Sequence, residues 1–178
     1  MNQACYYTVK AALEHMPERR RVVEFGSADV NGNVRDLLGD AEYIGVDIRP
    51  GPNVDVVADA ATYDPPWRPD LVLCLNMLEH TAEGPAIVAN AHRMLAPSGA
   101  LLVSVPDASF PIHSADGGAL HEGEWYEAFS IESLWRLLGA FSDTVFAENG
   151  RLIYGIGVRG NDNGNGRDVD GQEGHVLD

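Results

Sequence analysis

Between Arg21 and Val158 the chain alternates short, almost unbroken apolar runs with segments whose apolar residues recur every three or four positions. RVVEF (21–25), DLVLCL (70–75) and ALLVSVP (100–106) show little alternation of polar and apolar, the pattern of strands covered on both faces. YIGVD (43–47) and VDVVAD (54–59) read as further strands. DTVFAE (143–148) and RLIYGIGV (151–158) read as a hairpin turning at Asn149-Gly150. Helical spacing over 2–16 sets Val9, Ala12, Leu13 and Met16 on one face, and Pro17 ends it. A short helix is predicted over 32–39, closed by Gly39. A longer one over 83–95 has Pro85 in its first turn and Pro97-Ser98-Gly99 beyond its end. The last, 130–139, takes Ser130 as N-cap and stops at Gly139.

Strands alternating with helices predict an α/β fold. It is a doubly wound, mostly parallel seven-stranded sheet with one antiparallel strand, in a single domain over 1–159. One connection is too short for the usual crossover. Only Ile48 to Asn53, with Pro50, Gly51 and Pro52, separate the second and third strands, so a bare loop and a very short third strand are expected. Residues 160–178 carry five glycines and five acidic residues against one arginine, too little apolar surface to offset chain entropy, and read as a disordered tail.

The formal net charge of −15 changes the picture of partners. Such a surface repels nucleic acid, and the Arg19–Arg21 run is the only dense basic cluster, so no nucleic-acid partner is expected. No apolar run is long enough for a membrane span, and the N-terminus has neither the basic nor the apolar region of a secretory signal. Cys5 and Cys74 lie far apart, Cys74 within a buried strand pattern. A cytoplasmic location is the resulting expectation.

Polar residues, mostly carboxylates, fall at the carboxyl ends of the predicted strands: Glu24, Asp47, Asp59, Asn76 and Asp107. In an open doubly wound sheet that edge is where ligands bind. Asp47 falls 23 residues after Glu24, the place of an acidic residue that accepts from ribose hydroxyls. The turn after the first strand has Gly26 but then Ala28 and Val30, with Asp29 inside it, and lacks the glycines of a pyrophosphate cradle. A ligand with a ribose, no phosphate and a positive charge fits better, and S-adenosylmethionine has all three properties.

VVEFGSADVNGNVR, YIGVDIRPGPNVDVVADA, DLVLCLNMLEHT and AHRMLAPSGALLVSVPD, in this order and spacing, resemble the successive motifs of class I S-adenosylmethionine-dependent methyltransferases. The resemblance runs from Arg21 to about Gly139 and is closest to the small-molecule branch with an LEH signature after strand four. It implies a Rossmann-like fold and methyl transfer to an oxygen or nitrogen of a metabolite, sugar or natural product. Carried over by position, Glu24 and Gly26 border the methionine part of the cofactor and Asp47 holds the ribose hydroxyls. Asp59 accepts from the adenine amine, the Ala60 N–H lies near the ring, and Asn76 contacts the methionine ammonium. The 106–130 segment resembles the substrate-covering loop of the same enzymes, and within it His113 is the expected base for a hydroxyl acceptor.

Other features weigh less. DPPW (64–67) matches the motif of DNA amino-methyltransferases but precedes strand four instead of following it. His80 reads as part of a helix start. His113 with His121 lacks further ligands at zinc-like spacing, so no metal is expected. The rival readings are a non-catalytic S-adenosylmethionine-binding regulator and a nicotinamide-dependent oxidoreductase. Neither the acceptor nor the oligomeric state is written in the sequence.

Overall fold

Val22, Val23 and Phe25 are wholly buried in strand β1 (Arg21–Phe25), as are Leu71, Val72 and Leu73 in β4 (Leu71–Leu75). With β5 (Ala100–Pro106) these strands pair in parallel through the middle of the sheet, β4 between the other two. Their apolar residues serve both faces, which is why their sequences show no alternation. In the computed structural model, which describes residues 3–161 and 175–176, the strand order is β3-β2-β1-β4-β5-β7-β6. β2 is Glu42–Asp47 and β3 Val56–Val57, while β6 (Asp143–Asn149) and β7 (Leu152–Val158) form the expected hairpin. β7 alone runs antiparallel, wedged between β5 and β6. A two-residue strand, β8 (His175–Val176), lies parallel to β6 and adds an eighth to the expected seven. Most of the expected tail, residues 162–174 and 177–178, lies outside the described residues.

Helices α2 (Gly84–Met94) and α3 (Ile131–Leu137) cover one face of the sheet, packing Ile87, Val88, Ala91, Met94 and Leu134 on Val23, Phe25, Val72, Val103 and Ile153. The other face is covered by α1 (Gln3–His15), whose Cys5 and Val9 meet Val22, Leu71, Leu73 and Leu102. The Ser130 hydroxyl accepts from the Ser133 N–H and so caps α3 as the sequence predicts.

The helix predicted over 32–39 is the one element that fails to form. A single 3₁₀ turn spans Arg35–Leu38 instead. Asp29 accepts from the Gly32 N–H and the Asn33 side chain, and Asn33 accepts from the Arg35 N–H. These side-chain bonds fold 29–35 into turns, and the helical turn begins only at Arg35. The β2–β3 connection is a bare loop and β3 is only two residues long, both as expected. Asp55 accepts from the Gly45 N–H and its own N–H donates to the Gly45 carbonyl, which stitches the loop to β2 without a helix.

The decoys become structural. Asp64 pairs with Arg93 at 3.1 Å, and the Arg21 guanidinium lies over the Trp67 ring, away from the sheet's carboxyl edge. Arg19 donates to the Asp70 carbonyl, Arg20 pairs with Glu18 and Arg21 with Glu42.

Candidate functional site

The strand order reverses between β1 and β4, and a crevice of about 890 Å³ opens over their carboxyl ends. Glu24, Gly26, Asp47, Asp59, Ala60, Asn76 and His113 line it, while Asp107, the other strand-end residue, does not and accepts from Ser109 instead. Glu83 and Asp116 bring its carboxylates to five, against one arginine, Arg49, and no lysine.

The turn after β1 is made by Gly26. Its N–H and that of Ser27 both donate to the Val46 carbonyl, and at φ +70° the chain swings off the sheet. A Cβ at Gly26 would stand 2.4 Å from Met77 Cγ and 2.6 Å from its Cβ, so glycine is required for space as well as for conformation. Asp29 is spent on the turn itself, and its bonds to Asn33 and Gly32 hold its carboxyl below the usual range.

Glu24 is 5 % exposed. Burial pushes its carboxyl up to about 7, against a hydrogen bond donated by Tyr43 that holds it down. Asn53, at φ +67°, donates to both the Tyr43 hydroxyl and the Ser27 carbonyl, which locks the tyrosine beneath the turn. The Ser27 hydroxyl is buried and has no partner among the described residues.

Asp47 accepts from the Arg49 N–H at 3.0 Å and the Ala28 N–H at 3.3 Å, so its carboxylate is fixed at the end of β2. Asp59 is exposed and accepts from the Ala61 N–H, while the Asn90 side chain grips the Ala60 carbonyl from below. Asn76 takes up φ +52°. Its N–H donates to the Ser104 carbonyl and its side-chain oxygen accepts from the Ser104 hydroxyl at 2.6 Å.

The segment after β5 is more ordered than its sequence suggests. A bridge between Asp107 and Phe129 closes its ends, and the Glu127 N–H donates to the Glu79 carbonyl. Glu124 accepts from the Ser114 hydroxyl and the His121 N–H, and His121 turns to Asp116. His113 and His121 are therefore differently engaged. The His113 Nδ1–H donates to the Pro111 carbonyl, while its ring packs edge-on against His80 and Tyr126.

Two residues at this end were not read as functional from the sequence. Glu79 is 1 % exposed, and His80 lines the crevice beside His113. Burial pushes the Glu79 carboxyl up to about 8 and the His80 imidazole down to about 4, so at neutral pH the two neighbours are uncharged. Their 3.9 Å separation is then neither an ion pair nor a hydrogen bond. The LEH tripeptide was visible. The burial of its carboxylate under the 107–129 segment was not, because it depends on contacts distant in sequence.

A family profile described as a methyltransferase domain matches residues 2–141. No match is found among curated protein sequences. The fold is similar to that of Burkholderia thailandensis 1,6-didemethyltoxoflavin-N1-methyltransferase, solved with 1,6-didemethyltoxoflavin and S-adenosylhomocysteine (TM-score 0.68, 19% identity, 90% of this chain and 80% of that one). It is also similar to the N-methyltransferase NodS of Bradyrhizobium japonicum WM9 (0.61, 13%, 90% and 99%). A third likeness is to the N-terminal domain of EvdMO1 solved with S-adenosylhomocysteine and D-fucose (0.59, 20%, 89% and 84%). At these identities the likeness is one of fold.

Proposed function

This chain belongs to the methyltransferase domain family, and from that premise we propose that its crevice binds S-adenosylmethionine and delivers the methyl group to an oxygen or nitrogen of a small molecule. The observation that carries the reading is the rim of carboxylates at the ends of β1, β2 and β3, facing a crevice lined by a single arginine. That donor set suits hydroxyls, an exocyclic amine and a cation. It does not suit a pyrophosphate, which disfavours a nicotinamide dinucleotide.

The cofactor would supply an activated methyl on a sulfonium, and the chain's own groups would hold it for in-line displacement. Asp47, already fixed by two backbone N–H groups, accepts from the ribose hydroxyls. Asp59 accepts from the adenine amine, with the Ala60 N–H near the ring. Glu24 and Asn76 face the methionine portion, and Gly26 lets the backbone come close to it. The 107–129 segment covers the acceptor and excludes water, and His113 receives the acceptor's proton. With the LEH tripeptide at 78–80 placed at the acceptor end, the small-molecule branch of the family is the reading we favour. No helix among the described residues is long and apolar enough to cross a membrane, and we place the protein in the cytoplasm.

Calorimetry with S-adenosylmethionine, S-adenosylhomocysteine and NAD tests the first half. Binding of the first two and not of NAD is expected, and the reverse would overturn it. A methyl-release assay over hydroxyl and amine acceptors tests the second. A protein that binds the cofactor yet transfers to none of them would instead be a regulator.

A further inference from the structure

Glu79, His80 and His113 come from two segments 33 residues apart and meet where the 107–129 segment closes on the 3₁₀ turn Leu78–His80. One ligand atom from each lies within 4.8 Å of the other two. Bonds of about 2.0–2.2 Å from imidazole nitrogen and carboxylate oxygen to a shared ion require spacings of roughly 3–4 Å, a shift within side-chain reach. We propose that these three side chains form a binding site for a divalent transition-metal ion of the zinc class, at the acceptor end of the crevice.

Three further observations point the same way. Glu79 Oε2 is buried and has no partner among the described residues, a costly condition for a carboxyl group at 1 % exposure unless something is to be bound there. The His113 Nδ1–H donates to the Pro111 carbonyl, the outer-shell bond that orients an imidazole and leaves Nε2 with its lone pair. The Tyr126 hydroxyl is also buried without a partner among the described residues, and its ring lies 5.7 Å from His80 and 5.2 Å from His113, centre to centre. Two imidazoles and one carboxylate make a three-ligand set, with a further position left toward the crevice that His80 and His113 line. A hydroxyl oxygen held in that position would release its proton more readily to water in the crevice, and a His113 whose Nε2 holds the ion would not also serve as the base. The site and its test stand apart from the cofactor reading, while its place beside a methyl acceptor rests on that reading.

The test uses the full chain, stripped of metal with a chelator and titrated with Co²⁺, followed by visible absorption and by calorimetry. No cofactor is added, so the result stands apart from methyl transfer. One Co²⁺ per chain is expected. His113→Ala, in a surface segment, should weaken binding by roughly tenfold or more. His121→Ala, which removes a histidine outside the cluster, should leave it unchanged. Glu79→Gln should also abolish tight binding, and circular dichroism checks that this buried variant folds. Absence of saturable binding, an affinity unaltered in His113→Ala, or an equal loss in His121→Ala would each overturn the site.

Discussion

The hydroxyl of Tyr43 on β2 donates to the Oε2 atom of Glu24 on β1, at the floor of the crevice. The bond lowers the pKa of a carboxyl that burial raises to about 7, and so keeps Glu24 close to ionisation at neutral pH. A cationic ligand stabilises the carboxylate, so affinity for S-adenosylmethionine should rise with pH through about 7 and level off above it. Tyr43→Phe removes the donor, moves that midpoint upward and weakens binding at pH 7 by about tenfold, the worth of a hydrogen bond to a charged group. Calorimetry across pH 6–8 reads both effects. A flat profile would remove Glu24 from the ammonium's neighbourhood.

The same carboxyl sets a stability slope. Its folded-state pKa is raised, so its contribution is complete below the unfolded value near 4.5 and is lost as pH rises through about 7. Glu24→Gln, which keeps an acceptor for Tyr43 but does not titrate, should gain on the wild type across that window by on the order of 3 kcal/mol. Urea unfolding of both proteins at pH 5 and pH 8 gives the difference of differences.

Asp47→Ala should cost about 1–3 kcal/mol of cofactor affinity, since two ribose hydroxyls would lose their acceptor. It also frees the Ala28 and Arg49 N–H groups. Unchanged affinity in a folded variant would take Asp47 out of the site.

Gly26→Ala should destabilise the fold by about 1–3 kcal/mol, because the new Cβ meets both Met77 Cβ and Cγ at a positive φ. At roughly 2–4 °C per kcal/mol for a chain of this size, the fall in Tm is readily measured by calorimetric scanning.

His113→Gln should lower kcat by about 10²–10⁴ on a hydroxyl acceptor while leaving S-adenosylmethionine affinity within about twofold of wild type, because its proposed role is toward the acceptor. Paired kinetic and binding measurements check it. A parallel loss of cofactor affinity would place His113 on the wrong side of the crevice.

The strands were legible because each core run is buried on both faces. β1 and β5 lie where RVVEF and ALLVSVP place them, and the hairpin forms with Gly150 and Arg151 as its turn residues, one position beyond the expected Asn149-Gly150. Of the helix expected over 32–39 only the turn Arg35–Leu38 forms, after residues that Asp29 and Asn33 bind into side-chain-bonded turns, which residue spacing does not display. The short β2–β3 link announced itself through Pro50, Gly51 and Pro52. The carboxylate rim was legible for a topological reason: strand ends converge wherever a parallel sheet forms. The Tyr43–Glu24 bond, the burial of Glu79 and its meeting with His113 were not, because each depends on register or loop closure between distant segments.

The eight residues between β2 and β3 leave Ile48 and Val57 in water, where a covering helix would otherwise form a roof. On the proposed reading, the adenine flank of the cleft then has a doorway of its own, apart from the one that the 107–129 segment guards. A spent nucleoside could leave by it while the methylated product still sits behind the other, so the order of release would be free rather than enforced. Product-inhibition patterns would show which.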